Sequence, residues 1–429
     1  MRPAMAGQNT YHGKPVVRMH AMVKPTGPIC NLDCQYCYYL SKETLLGANG
    51  RWCISDETLE MFIRQYIEGQ NYKEIIFSWQ GGEPTLVGLD FFRQVVALEK
   101  KYCPPHVRCE NDLQTNGTRL DDEWCEFLRD NRFLVGLSID GPRQLHDAYR
   151  KDKAGNGSFD QVFRTAGLLR KHGVEFNTLS CVNRLTAKRP IDVYRFLRDE
   201  VGSKRMQFIP IVEPKGFRET APQRWPAEGM PVVGTPAARP GSPESVVEEW
   251  SVDPDDWGDF LCKVFDRWAS RDVGKIWVNY FEAAVETWIG RVSPMCTLAP
   301  MCGKGVALER DGSVYACDHY VYPEYRLGNI HESPLTSMVL STRQEFFGTN
   351  KERTLPEVCR QCEYEFACYG ECPKNRFVRA TDGQPGLNYL CPGWKRFWQH
   401  IDQPVQRIAR GLGYSPVKQT TEATSSVMR

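Results

Sequence analysis

The sequence predicts an α/β fold: a parallel sheet of six strand–helix units followed by a cysteine-rich C-terminal region. Three observations predict it. Between residues 16 and 212, short apolar segments alternate with longer amphipathic ones, the pattern of a parallel sheet with crossover helices. A Pro/Gly-rich stretch at 214–250 interrupts the alternation. Beyond it, eight cysteines spread over residues 296–391.

Each element follows from its local chemistry. Residues 1–15 are polar and read as an N-terminal arm. VVRMHAMV (16–23) is a strand that runs into a cysteine loop. A helix at 56–69 starts at Ser55, a good N-cap. EIIFSW (74–79) is an apolar strand, 89–102 a helix, RCENDLQT (108–115) a strand. DDEWCEFLRDN (121–131) carries acidic residues in its first turn, as a helix N-terminus favours. FLVGLSID (133–140) is a strand, and SFDQVFRTAGLLRKHG (158–173) a helix that stops at Gly. A strand at 174–182, a helix near 190–200 and a strand at 205–212 complete the series. Six such units make a partial (β/α)6 barrel over 16–213, with chemistry expected at the C-terminal strand ends. The 214–250 insertion is expected to be an exposed loop. A helical connector (251–290) contains amphipathic segments at 253–270 and 275–290. A cysteine-rich domain (291–400) and a polar tail (401–429) follow.

Composition narrows the function. Lys and Arg number 54 against 53 Asp and Glu, a formal charge of +1, so no basic footprint for nucleic acid is expected. No apolar run approaches the roughly 20 residues that span a bilayer. No apolar leader opens the sequence, and 17 cysteines in a chain this long argue against a secreted disulfide scaffold. A cytoplasmic protein with reduced thiols and no membrane partner is expected.

Eleven cysteines fall into two patterns. Cys30, Cys34 and Cys37 form a C-x-x-x-C-x-x-C run directly after the first strand. Three thiolates can hold three irons of a [4Fe–4S] cubane and leave the fourth for a small molecule, whereas such clusters ordinarily take four. Cys296, Cys302, Cys317, Cys359, Cys362, Cys368, Cys372 and Cys391 suffice for two four-thiolate sites. By themselves these eight fit a pair of zinc ribbons equally well. The other six, Cys53, Cys103, Cys109, Cys125, Cys181 and Cys262, are expected to be small buried hydrophobes.

Further candidates sit at strand ends. SWQGGEP (78–84) follows the second strand; its glycines permit close backbone approach, and Glu83 can accept from an ammonium. LSIDGP (137–142) ends the fourth, where Ser138 can bond a ribose or carboxylate; Arg150, farther on, can fork onto a carboxylate.

The cysteine triplet with Tyr36 before its last member, together with QGGEPTL and CDHYVYPEYRLGNI (317–330), resembles the anaerobic sulfatase-maturating enzymes. These are radical S-adenosylmethionine (SAM) proteins with a C-terminal SPASM domain. The resemblance covers roughly 15–400 and implies three [4Fe–4S] clusters and bound SAM. It implies that Cys296, Cys302, Cys317 and Cys372 hold one auxiliary cluster, and Cys359, Cys362, Cys368 and Cys391 the other. SAM contacts are implied for Tyr36, Gly82, Glu83, Ser138, Arg150 and Ile211, and pocket-lining roles for Tyr39 and Gln80. Asp318 is implied as the catalytic base, and the negative cluster beside it should raise its pKa. The implied reaction is oxidation of a Cys or Ser in an unfolded or nascent sulfatase to Cα-formylglycine, driven by an external electron donor such as flavodoxin or ferredoxin. Two other readings stay open: a SPASM maturase that crosslinks or epimerises a ribosomal peptide, and a zinc-stabilised binding protein.

Overall fold

The computed structural model describes residues 10–11, 14–15, 19–42, 45, 51–303 and 305–416. Most of the expected N-terminal arm, positions 16–18 of the first expected strand and 417–429 of the tail lie outside the described residues. Six strands appear in the expected order: β1 (His20–Lys24), β2 (Glu74–Trp79), β3 (Arg108–Thr115), β4 (Leu134–Ser138), β5 (Phe176–Val182) and β6 (Arg205–Pro210). Between them lie α1 (Asp56–Glu68), α2 (Leu89–Tyr102), α3 (Asp122–Asp130), α4 (Arg143–Tyr149), α5 (Phe159–His172) and α6 (Pro190–Arg195). Later come β7 (Trp277–Val278), β8 (Gly305–Glu309), β9 (Ser313–Tyr315) and β10 (Arg326–Asn329). The principal later helices are α7 (Pro254–Ala269), α8 (Asn279–Trp288) and α9 (Cys391–Gly411).

The chain forms two compact units that do not follow chain order. Among the described residues, one comprises those up to 179, 217–221 and 302–350; the other comprises 180–216, 222–301 and those from 351 on. In the first unit the strand order is β10-β9-β8-β1-β2-β3-β4-β5. From β8 to β5 every pair is parallel, and β9 and β10 continue it antiparallel. The sequence reading put 305–309 in the cysteine-rich domain; instead β8 extends the main sheet, with Lys24 opposite Glu309.

Local signals account for the helix ends. The Ser55 hydroxyl accepts from the Thr58 N–H at 3.1 Å, and Asp121 accepts from the Trp124 N–H at 3.0 Å. Gly173 stops α5 in the left-handed conformation at φ 69°. The core of this unit is aromatic. Phe62, Phe77, Trp79 and Phe92 are fully buried, with edge-to-face contacts that aromatic rings favour.

In the second unit, β6 pairs in parallel with β7. Helices α7, α8 and α9 bury Trp257, Phe265, Phe281, Trp394 and Phe397 between them. Two glycines make the α7–α9 crossing possible. A Cβ on Gly393 would lie 2.2 Å from the Pro254 carbonyl oxygen, and one on Gly258 would lie 2.9 Å from the Gly393 Cα.

The stretch 214–250 is exposed at many positions, among them Lys215, Arg218, Glu219, Arg224, Glu228 and Glu244, and anchored at others. Val247, Trp250 and Ala238 are buried. The Val233 N–H bonds the Arg379 carbonyl and the Arg379 N–H bonds the Pro231 carbonyl, both at 2.8 Å. Val246 and Glu248 donate to Ala237 and Glu213 at 2.9 Å. Prolines lack a donor, but the residues between them pair their backbone as a ladder does, and that permits burial.

Candidate active site

The three thiols of the first motif sit on the loop leaving β1, inside the first unit. Hydrogen bonds hold the loop's backbone: Asp33 N–H to the Lys151 carbonyl at 2.7 Å and Cys37 N–H to the Cys34 carbonyl at 2.9 Å. The QGGEP turn packs directly beneath. Gly82 N–H donates to the Gly27 carbonyl at 2.8 Å and Glu83 N–H to the Ile29 carbonyl at 2.9 Å. A Cβ on Gly82 would lie 2.1 Å from the Ile29 carbonyl oxygen. Glycine is therefore required here for loop-to-loop contact, whatever else the position touches. A cavity of about 720 Å3 opens onto Cys34 and Cys37, walled by Asp33, Gln35, Leu40, Ser41, Lys151 and Arg218 among others.

The thiols suit iron–sulfur ligation. Burial is the main influence on all three, and each is pushed up, Cys30 to about 12. Cys34 is also raised by the neighbouring charges of Cys37 and Cys30. Such thiols ionise when a metal takes the charge. Two donors face Cys30 Sγ: Leu32 N–H at 3.4 Å and Asn116 Nδ2 at 3.7 Å, the kind of contact that tunes a cluster.

Four of the eight later thiols gather within the second unit. Cys391 is pushed up by burial, then by Cys368, Cys359 and Cys362, and Cys368 to about 12 by burial, then by Cys359. The other implied set also has four members. Cys296 and Cys372 lie in the second unit, where both act on buried Tyr280. Cys302 and Cys317 lie in the first unit, where Gln344 Nε2 bridges the carbonyls of Gly303 and Ala316 at 3.2 and 2.9 Å. Buried cations staple the second unit's loops. Lys351 Nζ reaches the carbonyls of Cys296, Thr297 and Ala299 at 3.0, 2.8 and 2.5 Å. Arg376 reaches those of Gly370 and Tyr369 at 3.0 and 2.7 Å. Between Cys368 and Cys372, Tyr369, Gly370 and Glu371 are all left-handed, with φ 45°, 66° and 50°. Two non-glycine residues in that region store about 1–3 kcal/mol each.

The other expected site residues have these partners within the protein. Glu83 turns its carboxylate toward donors of its own unit. It is fully buried, and its oxygens accept from Thr85 N–H and Oγ1 at 3.0 and 2.6 Å, Thr115 Oγ1 at 2.7 Å and Asn116 N–H at 2.7 Å. Burial raises its pKa against these bonds. Its role is to tie the ends of β2 and β3 beneath the cysteine loop. Arg150 does fork, but onto a protein carboxylate: Nε and Nη2 reach Asp140 at 2.9 and 3.1 Å. The Tyr36 hydroxyl donates to the same carboxylate. Tyr39 is 2% exposed, packed with Ala307, Tyr315 and Val321, and its hydroxyl donates to Glu309. Ser138 Oγ, half-buried, accepts from Gln114 Nε2 at 2.9 Å. Gln80 is half-buried at the end of β2, its N–H on the Val23 carbonyl at 2.8 Å. Ile211 belongs to the second unit, its N–H on the Val182 carbonyl at 3.0 Å.

Asp318 follows Cys317 and is buried. Its carboxylate is ion-paired to Lys24 and accepts from the Tyr38 hydroxyl. The protein groups around it act on its pKa in both directions. Burial pushes it up, but the Lys24 ammonium, His319 and the Tyr38 bond outweigh burial and hold it below the ordinary range. Sequence reading weighed the cluster's charge and missed the lysine. The signal was a charged residue closing an apolar strand, HAMVK. Asp140 and Asn116 were also missed, though both stand just past strand ends.

The unassigned cysteines are only partly small buried hydrophobes. Cys125 and Cys262 are buried, while Cys53, Cys103, Cys109 and Cys181 are half-exposed. The Cys103 and Cys109 sulfurs lie 2.8 Å apart.

Comparison with known proteins identifies this arrangement. Residues 25–197 match the radical SAM superfamily, and 296–363 match an iron-sulfur cluster-binding domain, SPASM. A serine-type anaerobic sulfatase-maturating enzyme of Bacteroides thetaiotaomicron is 45% identical over 89% of both chains. A cysteine-type enzyme of Clostridium perfringens is 33% identical over 91% of this chain and 98% of its own. The solved structure of native anSMEcpe with bound AdoMet is 31% identical, with TM-score 0.77 over 91% of this chain and 99% of its own. No helix among the described residues is long and apolar enough to cross a membrane. The chain is thus a member of the anaerobic sulfatase-maturating enzymes, radical SAM iron–sulfur proteins that convert a serine or cysteine of a sulfatase to formylglycine.

Proposed function

We propose that Asp318 is the base that takes the side-chain proton of the target serine or cysteine. The observation that carries the reading is a buried carboxylate one residue past a cluster cysteine, already paired to a cation and therefore ionised. Only the ionised form can accept a proton, and a nearby ammonium secures that form at some cost in base strength. Lys24 and Tyr38 each occupy one oxygen, and a carboxylate offers about four lone-pair sites, so sites remain for the substrate. Cys30, Cys34 and Cys37 would hold the cluster, which with SAM would supply the one-electron chemistry that takes a hydrogen atom from an unactivated carbon. Asp318 removes the proton, and the one further electron that must leave to reach the aldehyde level would pass to an auxiliary iron–sulfur cluster held by the later cysteines. The substrate is an unfolded sulfatase segment. The name of the 45% identical relative supports serine as a target, and that of the Clostridium enzyme supports cysteine. A small flavin or iron–sulfur protein supplies the reducing electron, in the cytoplasm.

The test uses anaerobically reconstituted enzyme and two sulfatase peptides, with Ser or Cys before x-Pro-x-Arg. Mass spectrometry should show loss of two hydrogens from the serine peptide. Asp318→Asn should keep its iron and still cleave SAM, with formylglycine reduced about 10²–10⁴-fold, the usual cost of losing a general base. Equal product from the variant removes Asp318 from this role. Brisk SAM cleavage by wild type with both peptides unchanged overturns the substrate assignment.

A further inference from the structure

The first unit contains a buried charge cluster that the reaction, as read so far, uses only in part. Lys24 ends β1 and is 2% exposed. Its ammonium pairs with Asp318 and lies 4.5 Å from the centre of the Tyr39 ring. Its register partner across the parallel β1–β8 pair is Glu309, also 2% exposed. Glu309 Oε1 accepts from the Tyr39 hydroxyl; Oε2 is buried with no hydrogen-bond partner among the described residues. A single ammonium thus serves two carboxylates, one in direct contact and one on the neighbouring strand.

Lysine is a poor choice for a purely structural counter-ion here. Its flexible stem loses about 2 kcal/mol of rotamer freedom when fixed, and burying its charge carries a further desolvation cost. The geometry gives that cost a purpose. Ring, strand register and Glu309 hold the ammonium at one place, and that place is an oxygen of Asp318. With Tyr38 on the other oxygen, the plane of the carboxylate is fixed.

We propose that Lys24, backed by Glu309, is a positioning residue for the oxidation, aiming the Asp318 carboxylate at the substrate side chain. The proposal rests on Asp318 being the base. Lys24 itself touches no reacting atom; it acts through Asp318. Burial, opposed by the Tyr39 bond and Lys24, sets the Glu309 carboxyl near about 7, so the partner across the sheet is a weakly held charge. The groups facing it are Lys24, Tyr39, Asp311 and Asp318.

The experiment compares Lys24→Met, Lys24→Arg, Glu309→Gln and Asp318→Asn as reconstituted holoenzymes. Iron content, 5′-deoxyadenosine and formylglycine are measured in the same reaction on a serine peptide. Lys24→Met should hold its iron and cleave SAM, with the ratio of formylglycine to 5′-deoxyadenosine falling at least 10-fold. The loss should appear in kcat and not in peptide KM. Lys24→Arg should recover part of the ratio, and Glu309→Gln should lose less than Lys24→Met. A crystal structure of Lys24→Met should show the Asp318 carboxylate rotated off Tyr38. An unchanged ratio in Lys24→Met overturns the proposal. If that variant fails to hold iron, wild-type ratios in both Lys24→Arg and Glu309→Gln overturn it. An unchanged ratio in Asp318→Asn instead removes the base itself, a separate failure.

Discussion

Two buried carboxyls show how environment decides what a residue does. Asp140 accepts from Arg150 and Tyr36, with the Arg150 side chain 9% and the Asp140 side chain 0% exposed. Removing one member of a buried pair leaves the other charge uncompensated, at about 3–5 kcal/mol. Arg150→Ala should therefore lower thermal stability sharply, and Arg150→Met with Asp140→Asn should recover much of it. A differential scanning measurement on anaerobic protein reads both. Glu99 is the second case. Burial, opposed mainly by the Asn111 bond, raises its carboxyl to about 8, and Oε1 has no hydrogen-bond partner among the described residues. The folded pKa lies above the ordinary value, so the folded state keeps a proton that the unfolded state releases. Stability from this group is present below about pH 4 and is lost as pH rises toward 8, at up to about 1.4 kcal/mol per unit. Glu99→Gln should match wild type at pH 4 and exceed it at pH 8, by about 2–4 kcal/mol. Equal urea midpoints for the two proteins at pH 8 would contradict this.

At the scale of elements, turns and helix crossings carry separable costs. Exposed Arg132 follows α3 at φ 55°, a conformation that costs an L-residue about 1–2 kcal/mol. Glycine relieves it and loses part of the gain to chain entropy. Arg132→Gly should raise the apparent Tm by roughly 1–3 °C without touching activity. The α7–α9 crossing behaves oppositely. Gly393→Ala would push a methyl carbon into the Pro254 carbonyl, and overpacking costs about 1–3 kcal/mol. Because α9 begins at Cys391, the same change should lower iron content by up to about four per chain, which iron analysis counts. Strand and helix positions were legible in the sequence because periodicity and caps are local: Ser55, Asp121 and Gly173 act within a few residues of themselves. The joining of β8 to β1 was not legible, since nothing in GVALE names its partner strand. The cysteine loops and the QGGEP turn were found by spacing. The protein partners of Glu83, Arg150 and Tyr39, namely Asn116, Asp140 and Glu309, were not, because packing sets them.

At the scale of the molecule, charge and thiol chemistry govern handling. The Cys103 and Cys109 thiols stand within 2.8 Å, at the N-terminal end of β3. Treatment with glutathione disulfide should couple them and release two glutathiones, so that alkylation of the unfolded chain finds two fewer free thiols at these positions. Peptide mapping checks this, and Cys103→Ser should abolish it. The sheet also sets a timetable for synthesis. β1 emerges early, yet its partner β8 lies about 285 residues later. At about 5–20 residues per second, translation leaves one edge of β1 unpaired for roughly 15–60 s. Open strand edges invite pairing with other chains. The nascent protein therefore depends on slow, long-range closure in a crowded cell, and fragments ending before residue 305 should aggregate where the full chain stays dispersed.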